Sequence, residues 1–363
     1  MHLNVRQQQQ QQQHPQPQPQ QSRPSPSPQP RHQPTPDAMR NGHARPNIPT
    51  ASYAASSGEL SGYERPISND RRVYDEIPRK VCDFLWNNVI QNALVRKAIS
   101  ESPGTNVEVE ARWGQILQRD SNNRATGMHQ TECVVSSQYG ELTKFESTMT
   151  MIQHRKMNKY LNEQVAQSQP DKNSDRAQIN YKHTFDTDQF FELDQEGFMR
   201  LPPATREIIG QSKQRARIRV THDSKTGEQR GAIIKQKLAN LEISSPQTEW
   251  DYRIGVNLEI EFPGPLEGLK EVVETGKSPE AMKRHKDRVS YAFLDAYQID
   301  LTQVAQGGHK NHELELEMNA DVLLESGDKI LAGQSSNFES LVNGMINNLR
   351  VLSREITPAG PSA

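Results

Sequence analysis

The sequence predicts a mainly β domain, built as a β-barrel or a β-sandwich with helices outside it. Segments that alternate apolar and polar residues recur along the chain after about residue 105, which is the period of half-buried strands. Turn-rich breaks such as "SQPDKNSD" and "AQGGHKN" separate them. About eight such strands in one domain favour a barrel or a sandwich over an open sheet.

Residues 1–65 differ in composition from the rest of the chain. The stretches "QQQQQQQHPQPQPQQ" and "RPSPSPQPRHQPTP" are rich in Gln, Pro and Ser and have almost no large apolar residues. Such a segment cannot bury enough surface to offset its conformational entropy. We therefore predict a disordered tail at 1–65, a folded domain at 66–356 and a short C-terminal tail at 357–363.

Three regions of the folded domain show helical periodicity. The first, "VYDEIPRKVCDFLWNNVIQNALVRKAI", predicts one or two helices, with Pro78 near a helix start. A second helix is predicted at about 150–166. The third, at about 336–355, carries one apolar stripe that suits core or dimer packing: Phe338, Leu341, Val342, Met345, Ile346, Leu349 and Leu352.

The strand predictions follow the period of two. In chain order the alternating segments are "TNVEVEARWGQIL", "ELTKFESTMT", "RARIRVTHD", "GAIIKQKLANLEI", "DYRIGVNLEIEF", "DRVSYAFL", "YQIDLTQV" and "HELELEMN".

Composition excludes several classes of protein. The chain has 43 Lys+Arg against 45 Asp+Glu, so its global charge does not indicate a nucleic-acid or membrane-surface binder. No apolar run approaches the roughly 18 residues of a spanning helix, and the polar N-terminus does not resemble a secretory signal. Cys82 and Cys133 lie far apart, which argues against a disulfide scaffold or a zinc-thiolate site and fits a reducing compartment.

The polar faces of the predicted strands are sorted by sign of charge. Two strands are acidic on that face, with Glu108 and Glu110 in one and Glu313, Glu315 and Glu317 in the other. Three strands are basic on that face, with Arg215, Arg217 and Arg219, with Lys235 and Lys237, and with Lys286 and Arg288. A polar face in water is the default for antiparallel strands, but such faces usually mix signs along one strand.

The sorting is explained if the charged faces line an interior that holds a bound ion or ligand. Buried charges are costly unless they are paired or bind an ion. A divalent cation held by carboxylates and a phosphate chain held by Arg and Lys would neutralise both sets. Glu108 and Glu110 would then complete, from a facing strand, a shell begun by the glutamates of "HELELEMN". Oxygen ligands alone favour Mg²⁺ or Mn²⁺ over zinc.

These motifs resemble a known family. The segments "VEVEARWG", "RVTHD", "NLEIEFP", "KDRVSY" and "HELELEMN" are similar, in this order, to the fungal mRNA 5′-triphosphatases, the RNA-triphosphatase beta subunits of the mRNA capping enzyme. These belong to the triphosphate tunnel metalloenzymes. The resemblance covers about residues 66–330. It implies an eight-stranded antiparallel barrel that forms a tunnel, and removal of the γ-phosphate from the 5′-triphosphate end of nascent RNA.

The resemblance also implies roles for individual residues. It makes Glu108, Glu110, Glu315 and Glu317 the metal ligands, with Mg²⁺ or Mn²⁺ as the cofactor. It makes Arg219, Lys286 and Arg288 phosphate contacts and Glu259 the carboxylate that orients the attacking water. Further phosphate-binding or supporting residues would be Lys235, Arg253, Arg284, Glu313, Asp300 and one aspartate of "TFDTDQFF", either Asp186 or, by preference, Asp188. Arg215 and Arg217 are interpreted as surface charges and Lys237 as an accessory residue.

The chain departs from the family pattern at two points. Gln298 stands where the family is expected to have Arg, and no tryptophan-containing docking peptide precedes the domain. The implied partners are 5′-triphosphate RNA and the mRNA guanylyltransferase, the alpha subunit of the capping enzyme. The resemblance further implies a homodimer and a nuclear location, with no membrane association.

Two other functions remain open at this stage. The same chemistry would suit a tunnel phosphohydrolase that acts on inorganic polyphosphate or free nucleoside triphosphates. A non-catalytic barrel could instead bind polyphosphate as a scaffold, although such a module would not need both acidic strands and Glu259.

Overall fold

A computed structural model describes residues 75–125, 129–170, 176–212 and 214–358. The predicted tail at 1–65, and residues 359–363 of the predicted C-terminal tail, lie outside the described residues. The helices are α1 Glu76–Leu85, α2 Ala93–Glu101, α3 Met151–Gln167, α4 Gln195–Arg200, α5 Pro203–Gln211, α6 Pro279–Met282, α7 Ala320–Leu331 and α8 Phe338–Ile356. The strands are β1 Thr105–Gln118, β2 Cys133–Val134, β3 Thr143–Glu146, β4 Asn180–Glu192, β5 Arg217–Asp223, β6 Gln229–Ser244, β7 Asp251–Glu261, β8 Arg284–Phe293, β9 Tyr297–Gln306 and β10 His309–Met318.

Eight strands close into an antiparallel barrel. Their order around it is β1, β7, β6, β5, β4, β8, β9 and β10, and β10 pairs again with β1. Closure leaves these strands without free edges, and alternation then sends every second side chain into the interior. The prediction of an eight-stranded antiparallel barrel with flanking helices is confirmed.

One of the eight predicted barrel strands was wrong. The segment "ELTKFESTMT" contains only the short β3, which pairs with the far end of β1 outside the barrel. The eighth barrel strand is β4, which joins β8 to β5 and was not among the predicted strands. Its outward face holds His183, Thr187 and Gln189 where an aliphatic residue would be expected, so the period of two is weak there.

Helix boundaries follow ordinary capping chemistry. Asp75 caps α1 by accepting a hydrogen bond from the Ile77 amide at 3.1 Å, and Pro78 lies in the first turn, as predicted. A π-helical turn over Trp86–Ile90 extends α1, and α2 follows, in agreement with one or two helices. α3 begins with a capping box formed by Thr150 and Gln153.

Helix α8 provides much of the core outside the barrel. Its predicted apolar stripe is buried against the chain itself, from Phe338 at 3 % exposure to Leu349 at 0 %. It contacts α1, α3, α7 and β10, and Trp113 of β1 donates a hydrogen bond to its Ser353 at 2.9 Å. Of the two predicted uses for this stripe, packing in the core is the one that the structure confirms. No helix in the described ranges has the length and apolar character needed to cross a membrane.

A buried histidine pair joins α3 to β10. The rings of His154 and His312 lie 4.9 Å apart, and His154 is 7 % exposed. Burial, with a smaller effect of His312, lowers the pKa of His154 to about 4. The neighbouring charged group that opposes this shift is Asp287.

This pair predicts a loss of stability in acid. Because the unfolded chain protonates His154 near its ordinary pKa of about 6.5, unfolding takes up a proton between roughly pH 6.5 and 4, and stability falls as pH falls through that window. The loss should reach on the order of 2–3 kcal/mol. Urea unfolding across this range should give a shallower pH slope for His154→Phe than for the wild-type chain. The exposed His309→Phe is the control and should keep the wild-type slope; equal slopes in all three proteins would refute the assignment.

Candidate active site

Two connected cavities run along the barrel interior. The inner cavity, of about 380 Å³, is lined by six acidic and six basic side chains: Glu108, Asp188, Glu259, Glu313, Glu315, Glu317, Arg112, Arg219, Lys235, Arg284, Lys286 and Arg288. The outer cavity, of about 650 Å³, shares Arg112, Arg219, Lys235 and Arg284 with it. The interior is therefore highly charged, but acidic and basic side chains are equal in number around the inner cavity.

Strand register brings the two acidic segments together. β1 and β10 are hydrogen-bonded neighbours, so they do not face one another across the tunnel as the sequence analysis assumed. Glu110 lies opposite Glu317 in that register, and Arg112 lies opposite Glu315. Like charges at such close positions repel, so this arrangement needs cations to be stable.

Two protein groups hold the glutamates of β1. The Lys235 ammonium pairs with Glu108 and lies 3.3 Å from Glu110, and the Asn257 amide donates to both carboxylates at 3.0 Å. Burial raises the pKa of Glu108, and Glu110 and Glu259 add to the rise against the attraction of Lys235. Burial also acts on Glu110, but Lys235 and Arg112 outweigh it and hold its pKa below the usual range.

The carboxylates of β10 form the strongest candidate for a cation site. Ligand oxygens of Asp300, Glu315 and Glu317 lie within 4.8 Å of one another. Glu315 contacts the Arg112 guanidinium at 2.7 Å, whereas Glu317 has no salt bridge with any described residue. Burial, followed by the charges of Asp300, Glu108 and Glu315, raises the pKa of Glu317 to about 8. Such a half-buried, crowded carboxyl favours its neutral form, and a cation beside it would favour the charged form instead.

Asp300 differs from the two glutamates in what it touches. It is fully buried, lies 2.9 Å from the Arg288 guanidinium and accepts a hydrogen bond from Gln298 at 3.1 Å. It does not belong to the lining of either cavity. These contacts suit a residue that holds Arg288 in position better than a metal ligand. Gln298, at the position where Arg was expected, thus donates a hydrogen bond to Asp300, which in turn pairs with Arg288.

Three basic residues of the inner cavity are each paired with a different acid. Lys286 contacts Asp188 at 2.9 Å, Arg219 contacts Glu259 at 3.2 Å, and Arg284 lies 3.6 Å from Glu313. Burial lowers the pKa of Lys286 even though Asp188 opposes that effect. Paired charges of this kind are oriented in advance, so a bound phosphate meets donors whose positions are already set.

The structure distinguishes the two aspartates of "TFDTDQFF". Asp188 is fully buried, lines the inner cavity and also accepts a hydrogen bond from Thr221 at 2.7 Å. Asp186 shares its face but contacts Arg230 at 3.1 Å, away from both cavities. Its neighbour Asp223 also pairs with Arg230.

Most of the predicted site residues line one of the two cavities. Those that line the inner cavity are Glu108, Asp188, Arg219, Lys235, Glu259, Arg284, Lys286, Arg288, Glu313, Glu315 and Glu317. Glu110 lines the outer cavity beside them. Arg253 also lies in the outer cavity, where it pairs with Glu242 and sits 4.6 Å from the Phe145 ring.

Sequence reasoning missed three polar residues of this site. Arg112 bridges Glu110 at 3.0 Å and Glu315 at 2.7 Å, and Asn257 and Thr221 hydrogen-bond predicted acids. The alternation of "VEVEAR" already places Arg112 on the face of Glu108 and Glu110, so continuing that pattern by one step would have found it. Thr221 follows Arg219 on the same face in the same way.

Comparisons with a family model and with curated proteins both identify the same family. The family model for the mRNA capping enzyme, beta chain, matches residues 71–358. The mRNA-capping enzyme subunit beta of Schizosaccharomyces pombe is 28% identical over 273 residues, covering 74% of this chain and 80% of that protein. The subunit of Candida albicans is 28% identical over 286 residues, covering 77% of this chain and 49% of that protein.

A solved structure matches the fold. The S. pombe Pct1 RNA triphosphatase, determined in complex with the Spt5 CTD, superposes with a TM-score of 0.62 at 25% identity. The match covers 80% of this chain and 98% of that one.

Proposed function

We infer the activity of this chain from its family, since it belongs to the family of mRNA capping enzyme beta chains. It is an RNA 5′-triphosphatase that removes the γ-phosphate from the 5′-triphosphate end of nascent pre-mRNA and leaves a 5′-diphosphate. This is the first step of mRNA cap formation. The observation that carries the assignment is the inner cavity, where six carboxylates and six basic groups surround a space of about 380 Å³ inside a closed barrel.

A divalent cation, Mg²⁺ or Mn²⁺, fits the acidic side of this cavity. Glu315 and Glu317 of β10 would hold it together with Glu108 and Glu110 of β1; the charge of Glu108 helps to raise the pKa of Glu317, and Glu110 lies opposite Glu317 in the strand register. The fit rests on Glu317, which has no salt bridge with any described residue, and on the carboxylate oxygens of Glu315 and Glu317, which lie within 4.8 Å of each other. When bound, such an ion polarises a phosphoryl oxygen and offsets charge in the transition state.

The basic side of the cavity is assigned to the phosphates. Lys286, Arg288 and Arg219 point into the same space from β8 and β5. The Nε atoms of Arg219 and Arg288 have no hydrogen-bond partner in the described part of the chain, although both are buried. Buried donors left free in this way are available to phosphate oxygens, which bind guanidinium groups strongly.

Glu259 is assigned to the attacking water. Its carboxylate lies 3.2 Å from the Arg219 guanidinium, so a water on Glu259 would sit beside a phosphate on Arg219. Glu259 accepts the water's hydrogen bond and aligns its oxygen for in-line attack at the γ-phosphorus. The bond from the γ-phosphorus to the bridging oxygen breaks, and the RNA leaves with its β-phosphate terminal. Phosphoryl transfer depends mostly on such positioning and charge stabilisation.

The remaining charged residues would support this arrangement. Asp188 holds Lys286, Asp300 holds Arg288, and Glu313 lies near Arg284. Lys235 and Arg112 separate the crowded glutamates of β1 and β10. Arg253 lies farther along the tunnel and is proposed to contribute to its positive potential.

Partners and location follow from the family alone. We propose that the chain works in the nucleus with the mRNA guanylyltransferase, which would use the 5′-diphosphate product. A homodimer is also proposed, but the apolar stripe of α8 gives no support to it because that stripe is buried within the chain. The Gln/Pro/Ser-rich segment at 1–65 is proposed as a tether to partners, since no tryptophan-containing docking peptide is present there.

The substrate assignment predicts a defined product. RNA labelled within its chain and carrying a 5′-triphosphate should be converted to 5′-diphosphate RNA plus one orthophosphate, with no 5′-monophosphate. The value of kcat/KM for this RNA should exceed that for inorganic tripolyphosphate by at least about tenfold, because only RNA uses binding groups beyond the triphosphate. Product analysis by thin-layer chromatography after nuclease digestion checks this. A higher kcat/KM for tripolyphosphate would instead favour a polyphosphate phosphohydrolase.

A further inference from the structure

The two cavities differ sharply in charge. The inner cavity has six acidic and six basic lining residues. The outer cavity has one acid, Glu110, against eight basic residues: Arg112, Arg215, Arg217, Arg219, Lys235, Lys237, Arg253 and Arg284. The inner cavity is thus lined by equal numbers of acids and bases and the outer one mainly by bases, of which Arg215 and Arg253 are paired with Glu192 and Glu242 outside the lining.

Strand positions show that the outer cavity extends the inner one in a single direction. Along β7, Glu259 lines the inner cavity and Asn257, Gly255 and Arg253 line the outer one. At the opposite end, the inner cavity is bounded by Val107 and by Met318–Ala320, which bring no charge. Among the described residues, the outer end of the tunnel thus forms a basic mouth, the part of the outer cavity lined by Arg215, Arg217, Lys237 and Asn240.

We propose that this basic mouth binds the RNA chain downstream of the triphosphate, with Arg217 and Lys237 as contacts to its backbone phosphates. This inference rests on the proposed function and assigns a binding site for the part of the substrate that does not react.

Arg217 and Lys237 are suitable for this role because both are exposed and line the outer cavity. Neither forms a salt bridge with a carboxylate in the described ranges, whereas Arg215 contacts Glu192 at 3.2 Å and Arg253 pairs with Glu242. Partial burial and the nearby charge of Arg253 lower the pKa of Lys237, as expected where positive charges accumulate. An anion at the mouth would relieve that repulsion.

The spacing of these residues suits a chain of phosphates. Arg217 precedes Arg219 by two residues on β5, and Lys237 follows Lys235 by two residues on β6. Two residues of strand span about 7 Å, and both pairs face the interior. A triphosphate whose terminal phosphate contacts Arg219 in the inner cavity occupies much of that distance, so Arg217 and Lys237, which line only the outer cavity, are placed for the phosphates that follow it.

The width and lining of the mouth favour RNA over inorganic polyphosphate. The outer cavity is larger than the inner one, at about 650 Å³ against 380 Å³. Its lining includes Phe190 and Gln214, which offer an aromatic face and an amide group. A bare phosphate chain uses none of these, whereas nucleosides stack on aromatic rings and hydrogen-bond to amides.

The experiment compares two substrates in one double variant, Arg217→Ala/Lys237→Ala. For a 20-nucleotide 5′-triphosphate RNA, kcat/KM should fall by about tenfold more than it falls for tripolyphosphate, because phosphate contacts dominate affinity for nucleic acid. The slope of log kcat/KM against log salt should decrease by about 1.4 for the RNA, since each of two contacts to a single strand contributes about 0.7. The control is Lys159→Ala, which removes an exposed lysine of α3 that lines neither cavity and should match the wild-type protein.

Binding provides a readout that does not depend on catalysis. A 5′-hydroxyl RNA of the same sequence has no triphosphate and should still bind, with its affinity weakened in the double variant when followed by fluorescence anisotropy. Equal losses for RNA and tripolyphosphate would overturn the proposal, since the two residues would then serve the tunnel as a whole. Unchanged binding of the 5′-hydroxyl RNA would overturn it as well. A wild-type protein that binds this RNA through the mouth but hydrolyses neither substrate would refute the proposed function and leave this inference standing.

Discussion

The Glu317→Gln variant should lose a factor of about 10²–10³ or more in the rate of γ-phosphate release. The change keeps the shape of the side chain and removes only its charge and one ligand oxygen. In the absence of metal its stability at pH 7 should match or exceed that of the wild-type chain. The reason is that a buried carboxyl whose pKa is raised to about 8 costs stability as pH rises above its unfolded value. Single-turnover kinetics and urea unfolding measure the two effects.

A matched variant separates charge loss from general damage. Glu261 is an exposed glutamate at the end of β7 that lines neither cavity, so Glu261→Gln should retain the wild-type rate. A Glu317→Gln rate within about threefold of wild type would refute the assignment, since a lost electrostatic contact to a transition state costs far more. Loss of rate together with unfolding would point to a structural role.

The Asp188→Asn variant should be strongly destabilised. Asp188 is fully buried and neutralises Lys286, whose side chain is only 9 % exposed, so the substitution leaves a buried ammonium unpaired. Breaking a buried pair in this way costs about 3–5 kcal/mol. The asparagine keeps an oxygen for the Thr221 hydroxyl, so the loss reflects charge rather than packing. The free energy of unfolding in urea gives the size of the effect.

The neighbouring aspartate is the natural control. Asp186 pairs with Arg230, whose side chain is 38 % exposed, so Asp186→Asn should cost no more than about 1 kcal/mol. Adding Lys286→Met to Asp188→Asn should restore much of the lost stability, because a neutral pair replaces a broken ionic one. Equal effects of the two aspartate variants would contradict the preference for Asp188 as the tunnel residue.

The charged interior could be predicted from the sequence because side chains of a barrel strand alternate with a strict period of two. Alternation placed Glu108, Lys235 and Glu315 on polar faces, the sorting of charge by strand indicated that these faces are interior, and all three residues line the inner cavity. The sign-sorted faces also indicated a filled interior before any fold was known. The family resemblance then supplied the barrel and the individual roles, which alternation cannot assign.

Other features depend on spatial relations that a strand pattern does not contain. Strand neighbours are set by closure, so the pairing of β1 with β10, rather than a facing arrangement, could not be read from either segment. β4 was not predicted as a strand because its outward face is polar and partly exposed. The position of Asp300 behind Arg288 depends on how far each side chain reaches, and alternation gives only its face.

The most direct test of the central claim is metal dependence of phosphate release from 5′-triphosphate RNA by the full chain. The claim is that the carboxylates of β1 and β10 hold a divalent cation that the reaction requires. Release should occur with Mg²⁺ or Mn²⁺, stop when a chelator is added and resume when excess metal is restored. Undiminished release in the chelator would contradict the claim, and the acidic cluster would then need another explanation.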